Sequence, residues 1–400
     1  MTKRYATAAT PSGPPDGRKY NVLSTTMALV GAAAFSCVFA GSALGNGTRV
    51  THNPPPESVC RHCTPPLAIQ APAPPPGFNP VTASDEEIAF YGFPPRPDIN
   101  TAPDAYNFWR KVVSLPVKRV QTTFQQTTID NGPIQILSEG RKVPGTAATG
   151  TSSSNWSGYA DVVSTNPFKT KNTTIYGTFV VPVAQQAFGA CTGSWDYSSQ
   201  WIGIDGYNSN DVFQAGYEAD AYCSGGTTSQ FYSAWYEWYP NSETRISGFA
   251  ANAGDVIYLY IWPTSTTTGE YYIANLTADT ATSATFSAPS GTSLTGNSAE
   301  WIVERPGVNG GLATLTNYVD VPWYYATAIV PKSNGTSTQY SSAQGHTGTI
   351  YSITMDDNNG NGISDSFTST NNGLTYVNPS GSKYYYSGTG LWFQDFGSAY

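Results

Sequence analysis

From about Thr151 onward, apolar and polar residues alternate in short runs instead of recurring at helical spacing. The runs are rich in aromatic and β-branched residues, and Gly, Asn, Ser and Pro separate them, which is typical of short β-strands joined by turns. No stretch of this region has the periodicity of a helix of ordinary length. Residues 151–400 therefore predict a single all-β domain, a sandwich or a barrel, with an ample core.

Three of the predicted strands carry carboxylates and large aromatic rings on the same face. Successive side chains of a strand point to opposite faces. The residues that share a face are Trp201, Gly203 and Asp205 in QWIGIDG, Ser233, Trp235, Glu237 and Tyr239 in YSAWYEWY, and Glu300, Ile302 and Glu304 in EWIVE. This mixture predicts a groove lined by carboxylates and aromatic rings, because a strand face exposed to solvent would carry ordinary polar residues.

The first 45 residues predict a secretory signal. A polar stretch with four basic residues precedes an apolar run from Val22 to Ala43, and the small residues Ala40 and Ala43 offer cleavage sites. An uncleaved anchor is the alternative, because the run is nearly long enough to span a bilayer.

Residues 46–150 form a different, proline-rich region. Cys60 and Cys63 are interpreted as a local disulfide, because no second pair completes a metal site. Ser84–Glu87 predicts a capping box before a short helix, and a second helix is predicted from Thr101 with apolar residues at helical spacing.

Charge separates these two regions. Residues 1–150 carry 13 Lys+Arg and 9 Asp+Glu, a balance of +4, whereas residues 151–400 carry 6 and 18, a balance of −12. The acidic region has no basic patch, so nucleic acid is not an expected partner. A protein with so few basic groups gains little net charge in acid, which favours an acidic environment.

Several chemistries are excluded by the residues available. His346 is the single histidine of the β-region, and no nucleophile-elbow motif accompanies it, so neither a serine-protease triad nor a zinc site is predicted. Asp357–Asp365 resembles the start of a calcium loop, but an Asn/Gly hairpin turn is the favoured interpretation. Carboxylates and amides remain, and they indicate a glycosidase or an acid-acting peptidase. No cofactor is expected.

Two further features are typical of a secreted protein but do not indicate a function. Cys191 and Cys223 lie on either side of Gln214 in the sequence, and they can form a disulfide. Sequons for N-glycosylation lie at Asn155, Asn172, Asn275 and Asn334.

Five motifs in register resemble the eqolisins, the glutamic peptidases. They are NWSGY at Asn155–Tyr159, WIGIDG at Trp201–Gly206, FQAGYE at Phe213–Glu218, YSAWYEWYP at Tyr232–Pro240 and AEWIVERP at Ala299–Pro306. The resemblance covers most of residues 151–400. It implies a concanavalin-like sandwich of two antiparallel sheets of about seven strands, with a substrate cleft across one concave sheet.

The resemblance also implies a catalytic dyad of Gln214 and Glu304, supported by five cleft residues. The supporting positions are Trp201, Asp205, Trp235, Glu237 and Tyr239. Ser233 and Arg305 stand where the family usually has aspartate, so the pH optimum is expected to differ from the family's. Without the resemblance, Gln214 would be interpreted as a strand amide and Glu304 as a surface partner of Arg305.

The resulting hypothesis is a secreted endopeptidase that acts in acid on polypeptides, with Glu304 as general base and Gln214 as oxyanion donor. Residues 46–150 are expected to be a propeptide that inhibits the enzyme, residues 151–400 the catalytic domain, and the protein a monomer. Self-processing is predicted between about Pro144 and Asn155. The alternative is a non-catalytic, lectin-like sandwich that binds carbohydrate through its aromatic residues.

Overall fold

The computed structural model describes residues 48–50, 53–60, 68–142, 148–187, 191–341, 348–357, 359–369, 374–377, 383–386 and 390–395. The predicted signal segment, Cys63, His346 and residues 143–147 lie outside this set. Contacts join Gly45–Tyr400 into one compact unit, which contains both the proline-rich region and the β-region. Within the described residues, no helix has the length and apolar character needed to cross a membrane.

The described residues form two α-helices, two 3-10 turns and many strands. The elements of the N-terminal region are β1 (Thr48–Val50), a 3-10 turn (Pro56–Ser58), β2 (Ile69–Gln70), α1 (Asp85–Phe90), α2 (Pro103–Val113), β3 (Lys118–Arg119), β4 (Thr123–Gln126), β5 (Ile129–Asp130) and β6 (Ile136–Lys142). Those that follow up to residue 304 are β7 (Thr149–Ser153), β8 (Trp156–Val162), a 3-10 turn (Pro167–Lys169), β9 (Thr174–Val180), β10 (Trp195–Asp196), β11 (Ser199–Ile204), β12 (Val212–Ser224), β13 (Thr227–Tyr239), β14 (Thr244–Ser247), β15 (Val256–Ser265), β16 (Thr268–Asn275), β17 (Thr280–Ser287) and β18 (Ser298–Glu304). The remaining strands are β19 (Gly307–Val308), β20 (Gly311–Leu312), β21 (Asp320–Pro331), β22 (Ser337–Ser341), β23 (Thr349–Asp356), β24 (Gly362–Ser369), β25 (Leu374–Val377), β26 (Lys383–Tyr386) and β27 (Gly390–Asp395).

The two helices lie where the sequence predicts them. α1 begins after Ser84, whose hydroxyl accepts from the Glu87 backbone N–H (3.2 Å), while the Glu87 carboxylate accepts from the Ser84 N–H (2.9 Å), which completes the capping box. α2 begins at Pro103, where a missing N–H costs nothing because first-turn donors lack partners within the helix.

The strands form two antiparallel layers. The first has the order β13-β12-β11-β18-β8-β23, and the second has the order β17-β16-β15-β9-β21-β22. β24 and β27 connect the layers at one edge, between β23 and β21. The predicted all-β sandwich is therefore confirmed. Among the described strands each layer has six central members, and short strands from elsewhere in the chain extend the edges.

Apolar side chains from the facing surfaces of the layers form the core. The largest contributors include Phe213, Tyr236 and Trp301 from the first layer and Phe179, Tyr271 and Trp323 from the second. Each is at most about 1% exposed. Burial of this apolar surface between the layers is the main stabilising contribution in a sandwich of this kind. The outer faces of both layers are left for other elements to cover.

The N-terminal region wraps around the sandwich. Apolar residues of α1 and α2, among them Ile88 and Phe108, pack on the outer face of the second layer. β3 then runs beside β17, and β4 runs beside β14 at the edge of the first layer. Residues 129–135, here called the cleft segment, cross the outer face of the first layer, and β6 pairs with β7.

The charge difference between the two regions is not matched by ion pairs between them. Among the described residues, Arg96 pairs with Asp85 inside the N-terminal region, and Arg245 pairs with Glu218 and Glu243 inside the sandwich. Apolar packing and backbone hydrogen bonds hold the N-terminal region. Among these contacts there is therefore no ion pair between the two regions that protonation in acid would weaken.

Candidate active site

Strand register places Gln214 and Glu304 on one face. Gln214 of β12 lies opposite Gly203 of β11, and Gly203 lies opposite Glu300 of β18. Residues directly opposite one another share a face, and Glu304 follows Glu300 by four positions, so it points the same way. This is the outer face of the first layer, the face that the cleft segment crosses.

Tryptophan rings and glycines form the floor of this cleft. Trp235 lies opposite Gly216, and Gly216 lies opposite Trp201. A Cβ atom on Gly216 would come within 2.6 Å of the Trp235 ring and 2.7 Å of the Trp201 Cβ, so only glycine allows this packing. Trp156 meets Trp201 edge-on, with ring centroids 4.9 Å apart. These tryptophans are fully buried.

The cleft segment places one peptide unit between the two predicted catalytic residues. The Gln214 side-chain amide donates to the carbonyl oxygen of Asn131. The backbone of the next residue, Gly132, lies near the Glu304 carboxylate and weakly lowers its pKa. Gln214 therefore contacts the carbonyl oxygen of the Asn131–Gly132 peptide unit, and Glu304 lies near the other end of the same unit.

Glu304 is buried and held by several donors. Asn155 Nδ2 donates to its Oε1 (3.1 Å), and Trp201 Nε1 donates to its Oε2 (2.9 Å). Burial raises the pKa of Glu304 well above its ordinary value, and the hydrogen bonds from Trp201, Asn155 and Trp156 oppose that rise. Glu304 is 1% exposed, so the interpretation as a surface partner of Arg305 is wrong.

The Asn131 side chain lies in a pocket of two carboxyl groups. Its Nδ2 donates to Glu237 Oε2 and to Glu243 Oε2, both at 3.1 Å, and its backbone N–H donates to Glu237 Oε2 at 3.1 Å. Burial raises the pKa of both glutamates well above the ordinary value. In acid the pocket is therefore lined by neutral carboxyl groups.

A buried ion pair lies behind this pocket. Arg245 donates to both oxygens of Glu218, through Nε and Nη2 at 2.7 Å each. Burial disfavours the charged form of Glu218, but the Arg245 charge overcomes it and holds the pKa of that carboxyl below its ordinary value. The positive charge of Arg245 is thus mainly engaged by Glu218, and its Nε lies 3.8 Å from Glu243.

Asp205 does not take the position expected for it. β11 ends at Ile204, and Asp205 has a positive φ of 75°, so the strand alternation stops one residue too early. Its carboxylate accepts from the backbone N–H groups of Gly296 (2.8 Å) and Asn297 (3.0 Å). Within the described contacts, Asp205 thus fixes the loop before β18.

The stretch Asp357–Asp365, which resembles the start of a calcium loop, begins with a turn between β23 and β24. Asp357 Oδ1 accepts from the backbone N–H groups of Asn359 and Asn361, at 2.8 Å each. This is the arrangement of an Asx turn. No cluster of three or more metal-ligating side chains occurs in the described part of the chain.

The sequence predicts two disulfides, and the structure shows one of them in full. Cys191 and Cys223 are bonded to each other, as the sequence allows. Cys60 is also in a disulfide, and its predicted partner Cys63 lies outside the described residues.

Sequence reasoning missed four residues of this site. Asn155 was interpreted as a sequon, but it is 1% exposed and bonded to Glu304. Its place in the NWSGY motif was the available signal. The same motif contains Trp156. Glu243 and Asn131 carry no local pattern that links them to the cleft, because the contacts that bring them there come from distant parts of the chain.

The fold and cleft define a β-sandwich protein with a glutamine and a glutamate facing one peptide unit. The sequence profile of the Peptidase A4 family matches residues 154–376. The chain therefore belongs to the Peptidase A4 family.

Similar proteins come from two fungi. Scytalidopepsin B of Scytalidium lignicola is 36% identical over 116 residues, which are 29% of this chain and 42% of that protein. Aspergillopepsin-2 of Aspergillus niger is 32% identical over 191 residues, 44% of this chain and 64% of that protein. The matched region thus spans less than two thirds of either relative. A crystal structure of scytalido-glutamic peptidase with a transition state analog inhibitor covers 60% of this chain and 98% of its own, at 25% identity and a TM-score of 0.43.

Proposed function

We propose that this chain is a secreted endopeptidase that hydrolyses polypeptides in acid, with Glu304 as general base and Gln214 as oxyanion donor. One observation carries the proposal. Gln214 donates to the carbonyl oxygen of the peptide unit Asn131–Gly132, and Glu304 lies near the Gly132 backbone at the other end of that unit. When an amide bond is hydrolysed, negative charge develops on its oxygen and its nitrogen needs a proton.

The mechanism assigns one role to each group. Ionised Glu304 takes a proton from a water molecule as that water attacks the carbonyl carbon. The Gln214 amide donates to the oxygen, which becomes negatively charged in the tetrahedral intermediate; losing one such donor costs about 3–4 kcal/mol of transition-state stabilisation. Glu304 then gives the proton to the leaving nitrogen, and the C–N bond breaks. No covalent intermediate with the protein is needed.

The cleft segment affects the ionisation of the base. Burial is the largest cause that raises the pKa of Glu304, and the segment contributes to that burial. When the segment leaves and water enters, this cause weakens, while the donors Trp201 and Asn155 remain. The pKa of Glu304 should then fall towards its ordinary value near 4.3, which lets it act as a base in moderately acidic solution.

Glu237 is suited to orient Gln214. The two residues lie directly opposite each other on β12 and β13, where Cβ atoms are about 5 Å apart. The raised pKa of Glu237 keeps it protonated, so its hydroxyl can donate to Gln214 Oε1. That bond would turn the Gln214 NH₂ towards the substrate carbonyl.

The N-terminal region is proposed to inhibit the enzyme until it is removed. The cleft segment fills the position of a substrate between Gln214 and Glu304, and Trp201 and Trp235 lie fully buried beneath it. Secretion and a monomeric state are part of the same proposal.

Substitution of two glutamates on one strand tests the proposal. The parent, Glu304→Gln and Glu300→Gln proteins are assayed on a denatured protein at pH 3–5. We expect Glu304→Gln to lower the rate about 10²- to 10⁴-fold, the usual contribution of a general base. Glu300→Gln should stay within a few fold of the parent, because burial keeps Glu300 neutral and glutamine resembles a neutral carboxyl. Unchanged proteolysis by Glu304→Gln would refute the proposed base.

A further inference from the structure

We propose that the chain first cleaves itself at the bond between Asn131 and Gly132, upstream of the stretch from Pro144 to Asn155 that the sequence predicts, with the Asn131 side chain bound in a specificity pocket formed by Glu237 and Glu243. The proposal rests on the proposed peptidase function. Asn131 offers its carbonyl oxygen to Gln214, and the Gly132 backbone on the other side of the bond lies near Glu304. The segment therefore runs in the direction that a substrate needs, with the oxygen towards the proposed oxyanion donor and the nitrogen side towards the proposed base.

The pocket on the carbonyl side matches a side-chain amide. Asn131 is fully buried, and a single NH₂ group donates to carboxyl oxygens of both Glu237 and Glu243. An apolar side chain of similar size would leave both carboxyl groups without this donor, which is costly in a buried site. The pocket thus favours residues that carry an uncharged hydrogen-bond donor.

The other side of the bond requires a small residue. A Cβ on Gly132 would lie 3.2 Å from the Tyr239 ring, closer than ordinary van der Waals contact. No positive φ is involved, so this ring alone opposes a larger residue. Beyond it, Asn155 Nδ2 donates to the Pro133 carbonyl (3.2 Å), and the Gln135 N–H donates to Asn155 Oδ1 (2.8 Å).

Both flanks of the bond are anchored, which holds the bond in place. β5 pairs with β19 on one side, so Asp130 lies opposite Gly307. Ile134 N–H donates to the Gly206 carbonyl (3.1 Å) on the other side. A bond held in this way between the two catalytic side chains needs no second molecule in order to be cut.

The reaction balances with water as the only co-reactant. The oxygen of water bonds to the Asn131 carbonyl carbon, and its proton passes to the ionised form of Glu304. While the segment is bound, burial raises the pKa of Glu304, so the share of this form and the rate of self-cleavage should increase with pH over the range tested. The C–N bond to Gly132 breaks as Glu304 returns the proton to the nitrogen. The products are a chain that ends in the α-carboxyl group of Asn131 and a chain that begins with the α-amine of Gly132.

The test follows the full chain as it processes. Protein purified near neutral pH is incubated from pH 3 to 7, and the first new N-terminus is identified by sequencing and intact mass. We expect Gly132-Pro133-Ile134, formed at a rate that does not depend on protein concentration. A first cut elsewhere, for example in residues 143–147, in a protein that still digests a denatured substrate would overturn the proposal. Failure to digest that substrate would overturn the proposed function, and this inference with it.

Two controls sharpen the result. The Glu304→Gln chain tests for purely chemical cleavage at an Asn–Gly bond, and a Gly132 terminus formed there at the parental rate would overturn the proposal. Gly132→Val should slow this cut at least tenfold, because valine would press on the Tyr239 ring. Gly311→Val is the matched control, since nothing lies within 4 Å of a Cβ built there, and it should cut at the parental rate. A parental rate in Gly132→Val would contradict the proposed pocket.

Discussion

Replacing Asp205 with asparagine should make the stability of the folded chain less dependent on pH. Asp205 is fully buried, and burial raises its pKa from 3.8 to about 7, although N–H groups of Gly296 and Asn297 favour its charged form. Between these two values the folded chain keeps the proton and the unfolded chain loses it. The folded chain is therefore stabilised by its tighter hold on this proton. That stabilisation is fully present below about pH 4 and is lost as pH rises through about 7.

The size of the effect follows from the two pKa values. A difference of about three pKa units at ~1.4 kcal/mol each gives about 4 kcal/mol. Asparagine cannot ionise, and its side-chain oxygen can still accept from the same N–H groups. Urea unfolding at pH 4 and pH 8, in a Glu304→Gln background that prevents self-cleavage, measures the difference. The Asp205 chain should lose about 4 kcal/mol more between these pH values than Asp205→Asn. Equal losses in both chains would refute the reasoning.

Three further predictions concern the site and its frame. Trp201→Phe removes a donor that lowers the pKa of Glu304, so the acid limb of the pH–rate profile should move to higher pH. Replacing Cys191 and Cys223 with serine opens a loop with a separation of 32 residues, and urea unfolding should show a loss of about 3–4 kcal/mol. Gly216→Ala should destabilise the chain by about 1–3 kcal/mol through overpacking of the cleft floor, again measured in urea; an unchanged midpoint would contradict this packing.

The sequence predicts much of the sandwich and part of the cleft. Strand alternation alone gives the common face of Trp235 and Glu237, and of Glu300 and Glu304, because the period of a strand is fixed at two. The argument fails at Asp205, where the backbone leaves the strand with a positive φ. A local pattern does not contain that information.

The rest of the site depends on contacts between distant segments. Asn131 reaches Glu237 across 106 positions and Glu243 across 112, and no spacing rule links such residues. The charge difference between the two regions likewise does not show how the N-terminal region is held. Arg119, for example, donates to the backbone carbonyl of Tyr91 and lies over the Tyr272 ring, 4.9 Å from its centroid, instead of meeting a carboxylate.

The central claim is that Gln214 and Glu304 act as one unit on a single peptide bond. The most direct measurement is the kcat of Gln214→Ala, Glu304→Gln and the double variant on one peptide substrate in acid. Gln214→Ala should lower kcat about 10²- to 10³-fold. The kcat of the double variant should be only slightly below that of the more impaired single variant, because the effects of removing groups that act together are not additive. A Gln214→Ala enzyme that keeps kcat within twofold of the parent would contradict the account.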